Sequence, residues 1–182
     1  RGRMSKPHIV ALGGTSRPES ATGRALAHCL ALAEAKGARV TLLTGEAINF
    51  PHYELGCNTD DPRVAHFVSV LRDADGLIVG SPGYHGSLSG MVKNALDYAE
   101  QLRGDARPYF DGIPVGLVAT AGGWQAAVST LVALRTVIHA LRGWPTPLGV
   151  AINTGPGTGD ALAEASPQLG IMVDQILGFL RR

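Results

Sequence analysis

Short, almost continuous apolar runs alternate with stretches in which apolar residues recur at helical spacing. Ile9 to Leu12, Val40 to Leu43, Leu77 to Val79, Val115 to Ala119 and Leu148 to Ile152 read as five strands. Between them lie helical patterns over Gly23 to Lys36, Pro62 to Ala74, Ser89 to Leu102 and Gln125 to Leu141. Leu26, Leu30 and Ala33 mark one face of the first, and Gly37 stops it. Leu169, Met172, Val173, Ile176, Leu177 and Leu180 fall at i, i+3, i+4, i+7, i+8 and i+11, the spacing of an amphipathic closing helix.

Strands that are apolar throughout are covered on both faces, and strands separated by helices run parallel. The pattern predicts an α/β, doubly wound five-stranded parallel sheet with helices on both sides. No repeat, low-complexity segment or linker divides residues 1–182, so a single domain is expected.

Composition narrows the partners. With 45% apolar and 17% charged residues and a formal net charge of +1, neither nucleic acid nor an anionic membrane is an expected partner. No apolar run is long enough to span a bilayer, and Arg1-Gly2-Arg3-Met4 is not followed by the apolar core of a secretory signal. Met4 reads as a natural start, with Arg1 to Arg3 as an appended remnant. The two cysteines, Cys29 and Cys57, have neither metal nor redox spacing. Cys29 sits in a helical apolar pattern and is expected buried; Cys57 falls in a loop. Six dispersed histidines form no metal-ligand cluster. These features place the chain in the cytoplasm with no metal site.

The candidate chemistry sits in the loops that follow strands. Directly after Ile9 to Leu12 comes Gly13-Gly14-Thr15-Ser16-Arg17-Pro18-Glu19-Ser20-Ala21-Thr22, just ahead of a helix. Glycines let backbone approach an anion, and the helix start offers free N–H groups and the positive end of its dipole. Thr15, Ser16, Ser20 and Thr22 add hydroxyl donors, and Arg17 adds a fixed charge. The loop lacks the Gly-Lys-Ser/Thr ending of a P-loop, the G-x-G-x-x-G dinucleotide fingerprint, and the second glycine of a G-x-S-x-G nucleophile elbow, where Pro18 stands instead. Taken alone it is either a monophosphate cradle or a Ser/Thr-capped loop without ligand.

Position resolves that choice. Doubly wound sheets bind ligands at the carboxyl ends of their strands, where strand order reverses. In the order 2-1-3-4-5 that point lies between strands one and three. The loop after strand three, Ser81-Pro82-Gly83-Tyr84-His85-Gly86-Ser87-Leu88-Ser89-Gly90, should then flank the cradle, and Thr120-Ala121-Gly122-Gly123-Trp124-Gln125 should complete the site. Both offer small residues against which a flat ring can lie, and Tyr84 offers an aromatic face. Trp124 either shields a ligand, packs at the helix start, or meets a partner subunit. One loop made for a phosphate and two for a planar head point to flavin mononucleotide (FMN).

The first loop, together with Ser81-Pro82-Gly83-Tyr84-His85-Gly86-Ser87-Leu88-Ser89-Gly90-Met91-Val92-Lys93-Asn94-Ala95-Leu96-Asp97, resembles the NADPH-dependent FMN reductase family of flavodoxin-like proteins, from Ile9 to about Thr154. The resemblance implies a flavodoxin-like fold. It implies FMN held by Thr15, Ser16, Arg17, Ser20, Ala21 and Thr22 at its phosphate, and by Pro82, Gly83, Tyr84, His85, Gly86, Thr120, Ala121, Gly122 and Gly123 along its ring. It implies NADPH (or NADH) as hydride donor, with a flavin, quinone, azo compound or metal oxyanion as acceptor. No side chain need act as acid or base. A homodimer or homotetramer is implied, commonly with the helix of Lys93, Asn94 and Asp97 at the interface.

Two departures stand out. Members usually read P-E-Y-N where this chain has Pro82-Gly83-Tyr84-His85, and many have G-S-x-R where this chain has Gly13-Gly14-Thr15-Ser16-Arg17. The missing glutamate removes a charge, and His85 is either a titratable group beside the ring or a plain loop histidine. The segment Leu141 to Val150 looks closest to monooxygenase-associated FMN reductases and their azoreductase relatives. Two rivals differ in class: a flavodoxin that carries electrons without meeting NADPH, and a flavin-free interaction protein on the same fold. Flavodoxins are usually strongly acidic with a T-x-T-G-x-T loop, which neither the charge nor Arg17 matches.

Overall fold

The computed structural model describes residues 6–56 and 60–181. Met4 and Cys57 lie outside the described residues. In chain order the elements are β1 (His8–Gly13), α1 (Ala21–Ala35), β2 (Arg39–Leu43), α2 (Pro62–Arg72), β3 (Gly76–Tyr84), β4 (Ser87–Leu88), α3 (Gly90–Asp97), β5 (Pro114–Ala121), α4 (Trp124–Ala140), β6 (Trp144–Pro145), β7 (Val150–Asn153) and α5 (Ala161–Leu180).

The parallel sheet runs β2-β1-β3-β5, with β6 and β7 both paired to β5 at the far edge. Set β4 aside, take β6 with β7 as one edge, and this is the expected 2-1-3-4-5 order. Register places Leu12 opposite both Leu43 and Val79, and Val79 opposite Leu117. At their carboxyl ends β1 and β2 stop near Gly13, while β3 and β5 run on side by side to Tyr84 and Ala121, beside the reversal of strand order.

Alternation within the strands builds two cores. Val10, Leu12, Leu77, Val79, Val115 and Leu117 face α2, α3 and α4, packing with Phe67, Leu71, Leu96, Leu134 and Ile138. Ile9, Ala11, Ile78 and Val118 face α1 and α5, packing with Leu26, Leu30, Leu169, Met172 and Ile176. Both faces are buried, which is why these strands read as unbroken apolar runs rather than as alternating ones. Cys29 is among the buried residues of the second core, and burial pushes its thiol up to about 12.

Several boundaries differ from those the pattern predicts. The first helix starts at Ala21 rather than Gly23, because Ser20 caps it: its Oγ accepts from the Gly23 amide at 3.1 Å. The third strand does not end at Val79 but continues to Tyr84. The Ser89–Leu102 segment is α-helical only to Asp97 and finishes as a 3₁₀ turn over Tyr98–Leu102. The fifth strand is split, with its second piece starting at Val150 rather than Leu148. Pro145 and Pro147 have no N–H for a ladder, and the Arg135 guanidinium from α4 donates to the Thr146 and Pro147 carbonyls at 3.0 and 3.1 Å, filling the break.

Candidate functional site

The loop between β1 and α1 is held at its ends and open in its middle. The Gly14 amide donates to the Gly80 carbonyl at 3.0 Å, tying the loop to β3. Thr15 Oγ1 accepts from the Arg17 amide at 3.1 Å and contacts the Arg17 carbonyl at 3.2 Å, a small hydroxyl-closed turn. Ser16, Arg17, Pro18 and Glu19 are exposed. Among the described residues the Arg17 guanidinium has no hydrogen bond or ion pair, and the amides of Thr15, Ser16, Ala21 and Thr22 have no protein acceptor. Thr22 differs from the other hydroxyls: it is buried, and its Oγ1 shares a 2.6 Å hydrogen bond with Thr120 Oγ1 at the end of β5. That bond joins the first and third loops and occupies the hydroxyl.

Behind the loop stands Thr44, the residue that follows β2. Its Oγ1 is buried and has no hydrogen-bond partner among the described residues. A Cβ placed on Gly14 would lie 2.8 Å from that oxygen and 3.6 Å from both Ser20 Oγ and the Gly23 amide. The orphaned hydroxyl thus adjoins a loop rich in unspent donors. Sequence reading passed over Thr44, because a lone threonine after a strand carries no signal of its own.

The segment after Gly80 is expected to be a loop and is instead a β-hairpin. Gly83 and Tyr84 of β3 pair with Leu88 and Ser87 of β4. His85 and Gly86 form its two-residue turn with φ of 51° and 93°. Positive φ at both positions is the type I′ geometry that hairpins favour, and histidine, like asparagine, is among the residues that tolerate it. The exchange of asparagine for His85 is therefore accommodated by the turn. Pro82 is buried; Tyr84, His85 and Gly86 are exposed. Ser81, fully buried, closes the base: its Oγ accepts from the Ser89 amide and donates to the Pro82 carbonyl, both at 2.8 Å. Ser89 in turn caps α3, accepting from the Val92 amide at 3.1 Å.

Thr120 and Ala121 are the last residues of β5, Gly122 and Gly123 the connection, and Trp124 the first residue of α4. Gly86, Gly122, Gly123, Gln125, Ala126 and Ser129 line a cleft of about 500 Å3, within the range of small-ligand sites. A Cβ added at Gly86, Gly122 or Gly123 would meet nothing within 4 Å, so space lies open over this backbone. The hairpin tip and third loop meet at the cleft, while the first loop joins them through Gly14–Gly80 and Thr22–Thr120. Trp124 is 61% exposed; it lines a separate cleft of about 520 Å3 with Asn153, Gly157, Glu164 and Gln168 at the sheet edge.

Asn94 is bonded to the segment that follows β2. Its Oδ1 accepts from the Tyr53 amide at 2.8 Å, and its Nδ2 donates to the carbonyls of Phe50 and Pro51 at 3.2 and 3.0 Å. It fixes the segment following β2, whereas Lys93 and Asp97 form an exposed pair one turn apart at 2.7 Å.

A phosphate suits the open donors of loop 14–22, and a flat ring suits the bare glycine backbone of the cleft, so the residues present fit a mononucleotide with a planar head. The FMN-dependent NADPH-azoreductase of Staphylococcus aureus is 36% identical over 120 residues, a match covering 59% of this chain and 57% of that protein. The chain thus spans little more than half the length of the curated relatives it matches. Two solved structures share the fold: FerB, a flavoenzyme NAD(P)H:(acceptor) oxidoreductase from Paracoccus denitrificans, with a TM-score of 0.77, 21% identity, and 96% and 97% of the two chains covered; and the apo form of the NADH:FMN oxidoreductase EMOB, with a TM-score of 0.72, 21% identity, and 97% and 89% covered. A flavodoxin-like WrbA-type protein from Agrobacterium tumefaciens also matches, at a TM-score of 0.65 and 18% identity over 97% and 98% of the chains. The model of the NADPH-dependent FMN reductase family matches residues 7–157, most of the chain, and the chain belongs to that family.

Proposed function

We propose that this protein is an NAD(P)H-dependent, FMN-using oxidoreductase. When bound, the flavin would supply the hydride chemistry, taking reducing equivalents from a nicotinamide and handing them to a small acceptor. The chain's own part is to bind, orient and limit access. Thr15, Ser16, Arg17, Ser20, Ala21 and Thr22 are assigned to the phosphate. Arg17 would contribute charge, and the amides at the start of α1 would contribute oriented donors. Because Thr22 shares its hydroxyl with Thr120, its role there falls to its backbone N–H. Pro82, Gly83, Tyr84, His85 and Gly86 are assigned to one side of the ring, and Thr120, Ala121, Gly122 and Gly123 to its edge.

The observation that carries this reading is the convergence of an anion-ready loop, a hairpin and a bare glycine turn at one end of the sheet. Flavin titration of the purified protein, followed by anaerobic addition of NADPH or NADH, tests it. Saturable FMN binding and bleaching of the oxidised flavin spectrum are expected. Binding without bleaching would favour an electron carrier, and no binding would sink the reading.

Azo compounds, quinones and free flavin are the proposed acceptor classes, with the azoreductase likeness favouring the first. NADPH is the proposed donor and the cytoplasm the proposed compartment. A homodimer is proposed because Trp124, Val128 and Val132, at i, i+4 and i+8 of α4, stand 61%, 50% and 59% exposed on one face of that helix. Light scattering of the Val132→Asp variant against the parent chain tests that face.

A further inference from the structure

The proposed flavin hairpin rests on α4 through one buried side chain. Thr130 is fully buried, and its Oγ1 donates to the Ser87 carbonyl of β4 at 3.2 Å. The same oxygen would lie 2.6 Å from a Cβ on Gly83 of β3. One hydroxyl therefore touches both strands of the hairpin: it hydrogen-bonds one and occupies the side-chain space of the other. The Ala126 carbonyl, one turn earlier on α4, closes the same gap at 3.1 Å from that Cβ position. A larger side chain at Gly83 has no room unless the hairpin shifts from the helix.

We infer that Thr130 is a positioning residue for the flavin ring, and that Gly83 and Thr130 act as a matched pair. The threonine fixes how far the hairpin stands from α4, and thereby where the backbone from Gly83 to Gly86 presents itself to a planar ligand. Burial makes the contact consequential. Without the hydroxyl, the Ser87 carbonyl loses this donor, and the gap over Gly83 either stays empty or lets the hairpin settle inward. Nothing in the chemistry requires Thr130 to touch the ligand; it acts through the hairpin.

This inference rests on the proposed FMN site, and the test separates the two. Parent protein, Thr130→Val, Thr130→Ser and Gly83→Ala are compared for FMN dissociation constant, the midpoint potential and visible absorption bands of the bound flavin, and amide hydrogen exchange of hairpin residues without flavin. Valine keeps the shape but cannot donate. It should speed exchange at the hairpin amides, raise the FMN dissociation constant about five- to tenfold, the scale of one neutral hydrogen bond, and shift both potential and absorption bands. Serine should restore the parent values to within about twofold. Gly83→Ala should be less harmful in a Thr130→Ala background than alone, since the closest obstructing atom is then gone. A parent protein that binds FMN, with Thr130→Val matching it in potential, spectrum and exchange, overturns the inference alone. A parent protein that binds no flavin overturns the functional reading and this inference with it.

Discussion

Loop 14–22 and the hairpin of β3 and β4 stand side by side at the end of the sheet, yet they treat their polar groups in opposite ways. In the loop, the Arg17 guanidinium and several amides have no protein partner among the described residues, and four consecutive residues are exposed. In the hairpin, Ser81 both donates and accepts, the Ser89 amide and the Ser87 carbonyl are each answered by a side chain, and α4 presses on Gly83. The loop keeps donors in reserve, as an anion requires, since an anion brings acceptors and no donors of its own. The hairpin spends its polar groups on itself, as a surface against which the face of a flat ring stacks requires. Changing the loop should therefore cost affinity with little loss of stability, whereas changing the hairpin should cost stability first and affinity to a smaller extent.

The largest effect should come from forcing the hairpin off its helix. Gly83→Glu places a side chain where Thr130 Oγ1, the Ala126 carbonyl and Ala121 Cβ lie 2.6, 3.1 and 3.2 Å from its first carbon. Over-packing of this kind should cost about 3 kcal/mol in chemical denaturation of the flavin-free protein. An unchanged denaturation midpoint would mean that the hairpin moves freely and is not clamped.

Arg17→Ala should do the reverse. Flavin-free stability should stay within about 0.5 kcal/mol of the parent, because the side chain is exposed and unpaired. FMN affinity should fall by about 1.5–3 kcal/mol, the worth of a hydrogen bond to a charged group. Riboflavin, which lacks the phosphate, serves as the control in the same fluorescence titration. Equal losses for both ligands would move Arg17 away from the phosphate.

Most of this architecture is written in the sequence, for a physical reason. Strands buried on both faces carry few polar residues, so Ile9 to Leu12 and Leu77 to Val79 are unmistakable. The helix stop at Gly37 and the glycines near the site are equally plain. What escapes is contact between segments distant in sequence. Ser81-Pro82-Gly83 reads as a turn by composition, and only pairing with Ser87 and Leu88 makes it a strand. Thr130 lies 43 residues from Ser87 and looks like an ordinary helix residue until the fold brings the two together. Pro145 and Pro147 did carry a signal for the broken edge strand, though the guanidinium that stabilises the break comes from another element.

Ser81→Ala sharpens the comparison at the base of the hairpin. It strands the Ser89 amide, the residue before α3, in a buried setting, and should cost about 1–2 kcal/mol of stability. FMN affinity should change less than in Arg17→Ala. A larger loss of affinity than of stability would show that the two regions are not divided in the way their hydrogen bonds suggest.

The smallest effect should also have the opposite sign. Thr44 Oγ1 is buried without a partner among the described residues of the flavin-free protein, so its hydroxyl is held at a cost. Its backbone is extended, with φ −142° and ψ 168°, which suits valine. Thr44→Val removes the polar atom and keeps the shape, and should stabilise the flavin-free protein by about 1 kcal/mol. Such a gain would mark the hydroxyl as retained for something other than folding. If loop 14–22 draws on it when a phosphate arrives, the same variant should bind FMN more weakly and riboflavin as before. A Thr44→Val protein that is less stable without flavin would instead place the hydroxyl among the fold's own supports, and would leave Arg17 and the amides at the start of α1 as the reserve that the loop keeps.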